Sequence, residues 1–149
     1  MLRKGPTCPM KSPKTRTVSI DIASRLEMLE TVQTVLGHVT AIVGFDDDAA
    51  HYMSVAVRES VVNAIKHGNR ENEKKRVRVS FVIHPKALEV AVLDEGPGFD
   101  PRRIPDPVAD ENLLKADGRG IFFMRSFMDE VEYSFPPKGG TLVRLMKRV

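Results

Sequence analysis

Three short runs carry residue types and spacings that could do chemistry. Glu59 and Asn63 lie four apart in a stretch otherwise rich in apolar residues, among them Val55, Val57, Val61, Val62 and Ile65. On a helix, residues four apart stand one turn apart on one face, ~6 Å along the axis. For a lone pair of this kind an exposed polar stripe is the commoner explanation. As a functional pair, the amide oxygen of Asn63 suits a hard divalent cation such as Mg²⁺, and the Glu59 carboxylate could orient or deprotonate an attacking hydroxyl. The second run is Asp94-Glu95-Gly96-Pro97-Gly98-Phe99-Asp100. An apolar alternation ends there in a carboxylate, and two glycines follow at once. Glycine lets backbone approach a flat or charged ligand with no Cβ in between. A strand-end carboxylate can also accept a hydrogen bond from an exocyclic amine such as that of adenine, although a tight turn would explain the glycines too. The third run is Gly118-Arg119-Gly120-Ile121 at a loop-to-helix junction. Free amides at such a junction make an anion site, and glycines bring phosphate close. A lone Gly-x-Gly is weak by itself, because turns and caps use the same residues.

Other chemistries fit the sequence less well. No Gly-x-x-x-x-Gly-Lys-Ser/Thr occurs, so there is no Walker-type phosphate loop. The first strand is not followed by the glycine-rich loop of a Rossmann domain. His38, His51 and His84 are scattered without metal-ligand spacing. Arg70, Lys74, Lys75, Arg76 and Arg78 form a basic cluster, but Glu71 and Glu73 sit among them and no aromatic residue interleaves. A solvated loop fits that pattern better than a nucleic-acid surface.

The elements that must position these runs follow from periodicity. Thr17–Ile22 alternates apolar and polar residues and reads as a strand. Ser24 is placed to cap the next helix, with Glu27 completing a capping box. Leu26, Leu29, Val32, Val35, Leu36 and Val39 recur at helical spacing, and Gly44 ends the segment. Asp46, Asp47 and Asp48 crowd the start of a second helix, where negative charge suits the exposed amides. That helix should run to about Lys66 and stop at Gly68, read as a C-terminal signal. A hairpin follows: Val77, Val79, Phe81 and Ile83, a turn at His84-Pro85-Lys86, then Leu88, Val90 and Val92 on one face. Asp94 continues that period of two. A Pro-rich polar segment spans 98–117, a short helix near Gly120 carries Ile121, Met124 and Phe127, and two strands around 131–135 and 141–146 flank a Pro136–Gly140 turn. Helices and strands do not alternate strictly. The expected fold is therefore an α/β (α+β) two-layer sandwich, a mixed and mostly antiparallel sheet with helices on one face.

At 149 residues the chain has the size of one domain. Its net charge is only +3, and part of that is concentrated in residues 1–16. Arg3, Lys4, Lys11, Lys14 and Arg16 stand there without an acidic residue, among Pro6, Pro9 and Pro13. This reads as a flexible extension, leaving 17–149 as the folded domain. Cys8 is the lone cysteine, so neither a disulfide framework nor a cysteine metal site can form. No leader pattern and no run of the ~18 apolar residues needed for a membrane span is present. A cytoplasmic protein with no membrane partner is expected.

Taken in order, Glu59-Ser60-Val61-Val62-Asn63-Ala64-Ile65-Lys66-His67-Gly68-Asn69, then Asp94-Glu95-Gly96-Pro97-Gly98, then Gly118-Arg119-Gly120-Ile121, resemble the N, G1 and G2 boxes of the GHKL superfamily of ATP-binding domains. Gly140-Thr141 is similar to that superfamily's late Gly-Thr element. Within it, residues 120–131 most resemble bacterial anti-sigma-factor serine/threonine kinases. The likeness covers residues 17–149 and implies the Bergerat-type ATPase fold with ATP and Mg²⁺ bound. It implies Glu59 as general base, Asn63 as Mg²⁺ ligand, and Lys66 and His67 beside the phosphates. Asp94, helped by Thr141, would read the adenine amine, with Gly96 and Gly98 making room for the base. Gly118, Arg119, Gly120 and Ile121 would hold the phosphates, and 99–117 would form a lid. By the same resemblance the chain would phosphorylate a small anti-anti-sigma antagonist protein, sequester a sigma factor, and form a homodimer. Two other readings are a nucleotide-gated binding module without catalysis, which has no need of Glu59, and a stand-alone histidine-kinase-like catalytic domain. The latter wants a phosphoacceptor histidine on a dimerising helix, and His38 beside Gly37 is a poor setting for one.

Overall fold

Strands that alternate branched apolar residues with polar ones need a partner on one face only, and here they share one sheet. In the computed structural model, which describes residues 15–97 and 124–149, β1 (Arg16–Ala23) pairs with β2 (Arg76–His84) and β2 with β3 (Ala87–Leu93). β3 pairs in turn with β5 (Leu142–Arg148), whose other edge takes β4 (Glu130–Ser134). The order is β1-β2-β3-β5-β4. Among the described residues every pairing is antiparallel, so the parallel component expected of a mixed sheet is not found there.

The period of two builds the core. Val77, Val79, Phe81 and Ile83 of β2, Leu88, Val90 and Val92 of β3, and Val143 and Leu145 of β5 are buried on one face. Register sets Phe81 opposite Val90 and Val90 opposite Leu145, so these side chains stack across three strands. Two helices, α1 (Leu29–Val43) and α2 (Asp47–Asn63), cover that face through contacts to β2, β3 and β5. Leu29, Val32, Leu36 and Val39 of α1 and Met53, Ala56, Val57 and Val61 of α2 meet the sheet. Each large apolar side chain so buried contributes roughly 1.5–3 kcal/mol.

The start of α1 departs from expectation. Ser24 does not cap it: a 3₁₀ turn at Leu26–Met28 comes first, and α1 begins with no side-chain cap. Ser24 is 1% exposed, and its hydroxyl donates to the Lys75 carbonyl at 2.6 Å. Glu27 pairs with Arg25 instead of closing a capping box. A buried carbonyl left unbonded costs more than an exposed helix end, which water can serve. Gly44 ends α1 as expected, at φ 100° with its amide on the Thr40 carbonyl.

At the other helix the reading holds. The Asp46 carboxylate accepts from the Ala49 amide at 2.8 Å, and Asp47 and Asp48 fill the first turn. The helix does run on past Asn63, but Ala64–Gly68 widens to a π turn. The Asn69 amide bonds the Ala64 carbonyl at 2.8 Å, five residues back, where an α-helix would use Ile65. Residues 124–127 are helical, with Met124 and Met128 in the core.

Candidate functional site

Three stretches distant in the chain meet at the end of β3. Asp94 keeps the inward phase of Val90 and Val92 and is 6% exposed. Its Oδ1 accepts from the Gly96 amide at 2.9 Å and from the Thr141 amide at 3.1 Å, and its own amide donates to the Thr141 carbonyl at 3.1 Å. No described residue hydrogen-bonds Oδ2. Burial pushes the carboxyl above its ordinary value, while the Gly96 and Thr141 amides and the Lys75 charge pull it back down. One oxygen is therefore held by backbone amides, and among the described residues the other has no hydrogen-bond donor.

Glycines make this packing possible. A Cβ on Gly68 would lie 2.3 Å from Asp94 Oδ2, and one on Gly96 would lie 2.0 Å from the Gly68 carbonyl oxygen. A Cβ on Gly140, which has φ +91°, would lie 2.2 Å from the Asp94 carbonyl oxygen. Gly68 is thus glycine for close approach to a carboxylate, not for a left-handed helix cap, since positive φ occurs at Gly44, Gly139 and Gly140 among the described glycines. The space freed at Gly96 is taken by the Gly68 carbonyl.

Behind this collar lies a buried asparagine to which the sequence reading gave no role. Asn69, 1% exposed, donates through Nδ2 to Ser24 Oγ at 2.8 Å and to the Arg76 carbonyl at 3.0 Å. Its Oδ1 accepts from the Glu95 amide at 2.8 Å. Two of its three partners lie 45 and 26 residues away, beyond the reach of a local pattern.

The helix supplies the other predicted residues. Glu59 and Asn63 are half-buried and one turn apart on α2, and Lys66 and His67 are exposed beyond them on the π turn. Glu59, Val62 and Lys66 line a groove of about 790 Å³ together with Leu26, Leu29 and Gln33. Asp94 lines a separate recess of about 470 Å³ with Leu93, Pro136, Pro137 and Lys138. Glu59 and Asp94 thus border different described hollows. They are linked through α2 and its π turn, where nine residues give a separation on the order of 13 Å along the axis. Gly98, Gly118, Arg119, Gly120 and Ile121 lie outside the described residues, as do residues 1–14 of the basic extension and the 99–117 segment. Among the described residues no group of three or more His, Cys, Asp or Glu could hold a metal unaided. None of their helices is long and apolar enough to cross a membrane.

The sequence also matches known proteins. The family described as histidine kinase-like ATPase domain matches residues 22–147. The chain is 29% identical over 121 residues to the serine-protein kinase RsbW of Bacillus velezensis, covering 77% of this chain and 76% of that one. It is 28% identical over 120 residues to the protein of the same name from Bacillus subtilis, covering 76% and 75%. The Oceanobacillus iheyensis RsbW is 25% identical over 121 residues, 77% of each chain. A crystal structure of the RsbU and RsbW domains of a Mycobacterium tuberculosis protein superposes with a TM-score of 0.62 at 19% identity, over 89% of this chain and 32% of that longer one. That last likeness bears on the fold alone.

Proposed function

The chain belongs to the histidine kinase-like ATPase domain family, and from that premise we propose that it is an ATP- and Mg²⁺-dependent serine/threonine protein kinase of the anti-sigma type. The observation that carries this reading is the packing around Asp94: Gly68 closes on its carboxylate, Gly96 on Gly68 and Gly140 on the Asp94 backbone, with one carboxylate oxygen held by amides and the other without a donor among the described residues. A buried strand-end carboxylate bordering a recess with Pro136 and Pro137 matches an amine on a flat ring. Relatives named serine-protein kinase support the class of reaction.

In this reading Asp94 Oδ2 takes a hydrogen bond from the adenine amine, and α2 carries the nucleotide's other end. Asn63 offers a hard neutral oxygen. With no three-ligand cluster among the described residues, Mg²⁺ would share its coordination between Asn63 and phosphate oxygens. When bound, the ion neutralises phosphate charge. Lys66 and His67, the backbone amides of Gly118, Gly120 and Ile121, and the Arg119 side chain grip the phosphates. Glu59 accepts the proton of a serine or threonine hydroxyl as its oxygen bonds the γ-phosphorus and the bond to ADP breaks.

The protein substrate is a small antagonist, and the chain, as a cytoplasmic homodimer, alternates between phosphorylating it and sequestering a sigma factor. Two assays on one variant test this. Glu59→Ala should abolish phosphorylation of an antagonist captured in the presence of ATP, while calorimetric ATP affinity stays within about threefold. Loss of ATP binding in Glu59→Ala would assign the carboxylate to folding or cation capture. Undiminished phosphorylation would remove it from catalysis.

A further inference from the structure

We infer that Asn69 is a specificity-determining positioning residue, whose side-chain amide fixes the adenine-reading Asp94 against the Gly68 wall and so sets base discrimination. The inference rests on the adenine role of Asp94 proposed above and extends it to a residue that touches no nucleotide.

Asn69 follows Gly68 on one side of the close Gly68–Gly96 contact and bonds to the other side. The Gly68 carbonyl, on the peptide that Asn69 completes, faces Gly96, and the Asn69 side chain crosses to the Glu95 amide. That amide lies in the Asp94–Glu95 peptide plane, so its direction sets the backbone torsion from which the Asp94 carboxylate hangs. The amide orientation of Asn69 is itself unambiguous. Ser24 Oγ spends its hydrogen on the Lys75 carbonyl and is left to accept, and the Arg76 carbonyl can only accept. Nδ2 must therefore face those two, which leaves Oδ1 for Glu95. Aspartate could not replace it, since its carboxylate would oppose the Arg76 carbonyl. The Arg76 amide adds a weaker tie to Glu95 Oε1 at 3.3 Å.

Ser24 provides a matched control, because it supports Asn69 from behind without touching the Glu95 loop. Binding of ATP, GTP and inorganic tripolyphosphate, each with Mg²⁺, is measured by calorimetry below the melting temperature of every variant. Asn69→Ala should lose about tenfold in ATP affinity while tripolyphosphate changes by no more than about twofold. The ATP-to-GTP preference should fall in step. Ser24→Ala should melt earlier yet keep the parent's preference within about twofold. An Asn69→Ala protein with the parent's preference would overturn the inference, and so would Ser24→Ala losing that preference equally. If Asn69→Ala does not fold, Asn69→Ser, whose hydroxyl falls short of Glu95, carries the same test. Failure of both to fold assigns Asn69 to stability alone. A parent that binds no ATP would fell the functional reading itself, a result distinct from a parent that discriminates alongside variants that still do.

Discussion

Asp94 holds a carboxylate where burial penalises its charge, and three backbone contacts keep it there. Burial raises its pKa above the ordinary 3.8. A group raised on folding contributes its full stability below that ordinary value and loses it as pH climbs through the folded value. Where it is ionised, Asp94 therefore weakens the fold in the service of the site. Asp94→Asn keeps an acceptor for the Gly96 and Thr141 amides and removes the charge. Its melting temperature should exceed the parent's at neutral pH, and the gap should close as pH falls toward about 4. The same variant should bind ATP more weakly by ~1–3 kcal/mol, with tripolyphosphate little affected. Thermal scans between about pH 4 and 8 decide the first part; a gap independent of pH would show that the Asp94 charge does not burden the fold.

At the scale of elements, α2 and its π turn join the two halves of the site. The helix starts on the Asp46 cap and ends where the Asn69 amide reaches back to Ala64, which turns Gly68 and Asn69 toward the end of β3. Two glycines separate helix energetics from site geometry. Gly37, exposed in the middle of α1, has nothing within 4 Å of a Cβ, so Gly37→Ala should stabilise the chain by about 0.5–1 kcal/mol and leave ATP affinity unchanged. Gly96→Ala would drive a Cβ into the Gly68 carbonyl at 2.0 Å. Neither partner there is a flexible side-chain end, so the two walls must part. ATP affinity in Gly96→Ala should drop by at least about tenfold, since strain of this kind costs about 1–3 kcal/mol. Denaturant unfolding and calorimetry on both variants check the pair. Equal nucleotide affinity in Gly96→Ala and parent would mean that the close Gly68–Gly96 contact does not shape the binding site.

For the whole molecule, the sheet and both helices bring the 63–69, 94–96 and 139–141 segments to one end, so nucleotide binding should stabilise the entire fold. At a hundredfold excess of ATP over its dissociation constant the gain is about 2.7 kcal/mol, several degrees of melting temperature for a domain of this size. Replacing Mg²⁺ with a chelator should remove most of that shift, and Asn63→Ala should blunt the difference between the two conditions. An ATP shift indifferent to the chelator would take Asn63 out of cation binding.

The local elements were legible in the chain because their causes are local. Alternation in β2 and β3, the apolar stripes of α1 and α2, Gly44 as a stop and Asp46 as a cap depend on torsions and contacts a few residues apart. The motif order also pointed to Asp94, Gly96 and Thr141, which do meet. What the chain alone left open were roles set by partners far away in sequence. Ser24 looked like a cap and proved to be a buried donor to Lys75, 51 residues on. Gly68 does end the helical segment, but it is glycine because the Asp94 carboxylate leaves no room there for a Cβ. Asn69 gained its place from Ser24, Arg76 and Glu95, three segments that come together when the sheet closes. Buried polar groups must find partners wherever the fold supplies them, and that supply exists only after the apolar faces have packed.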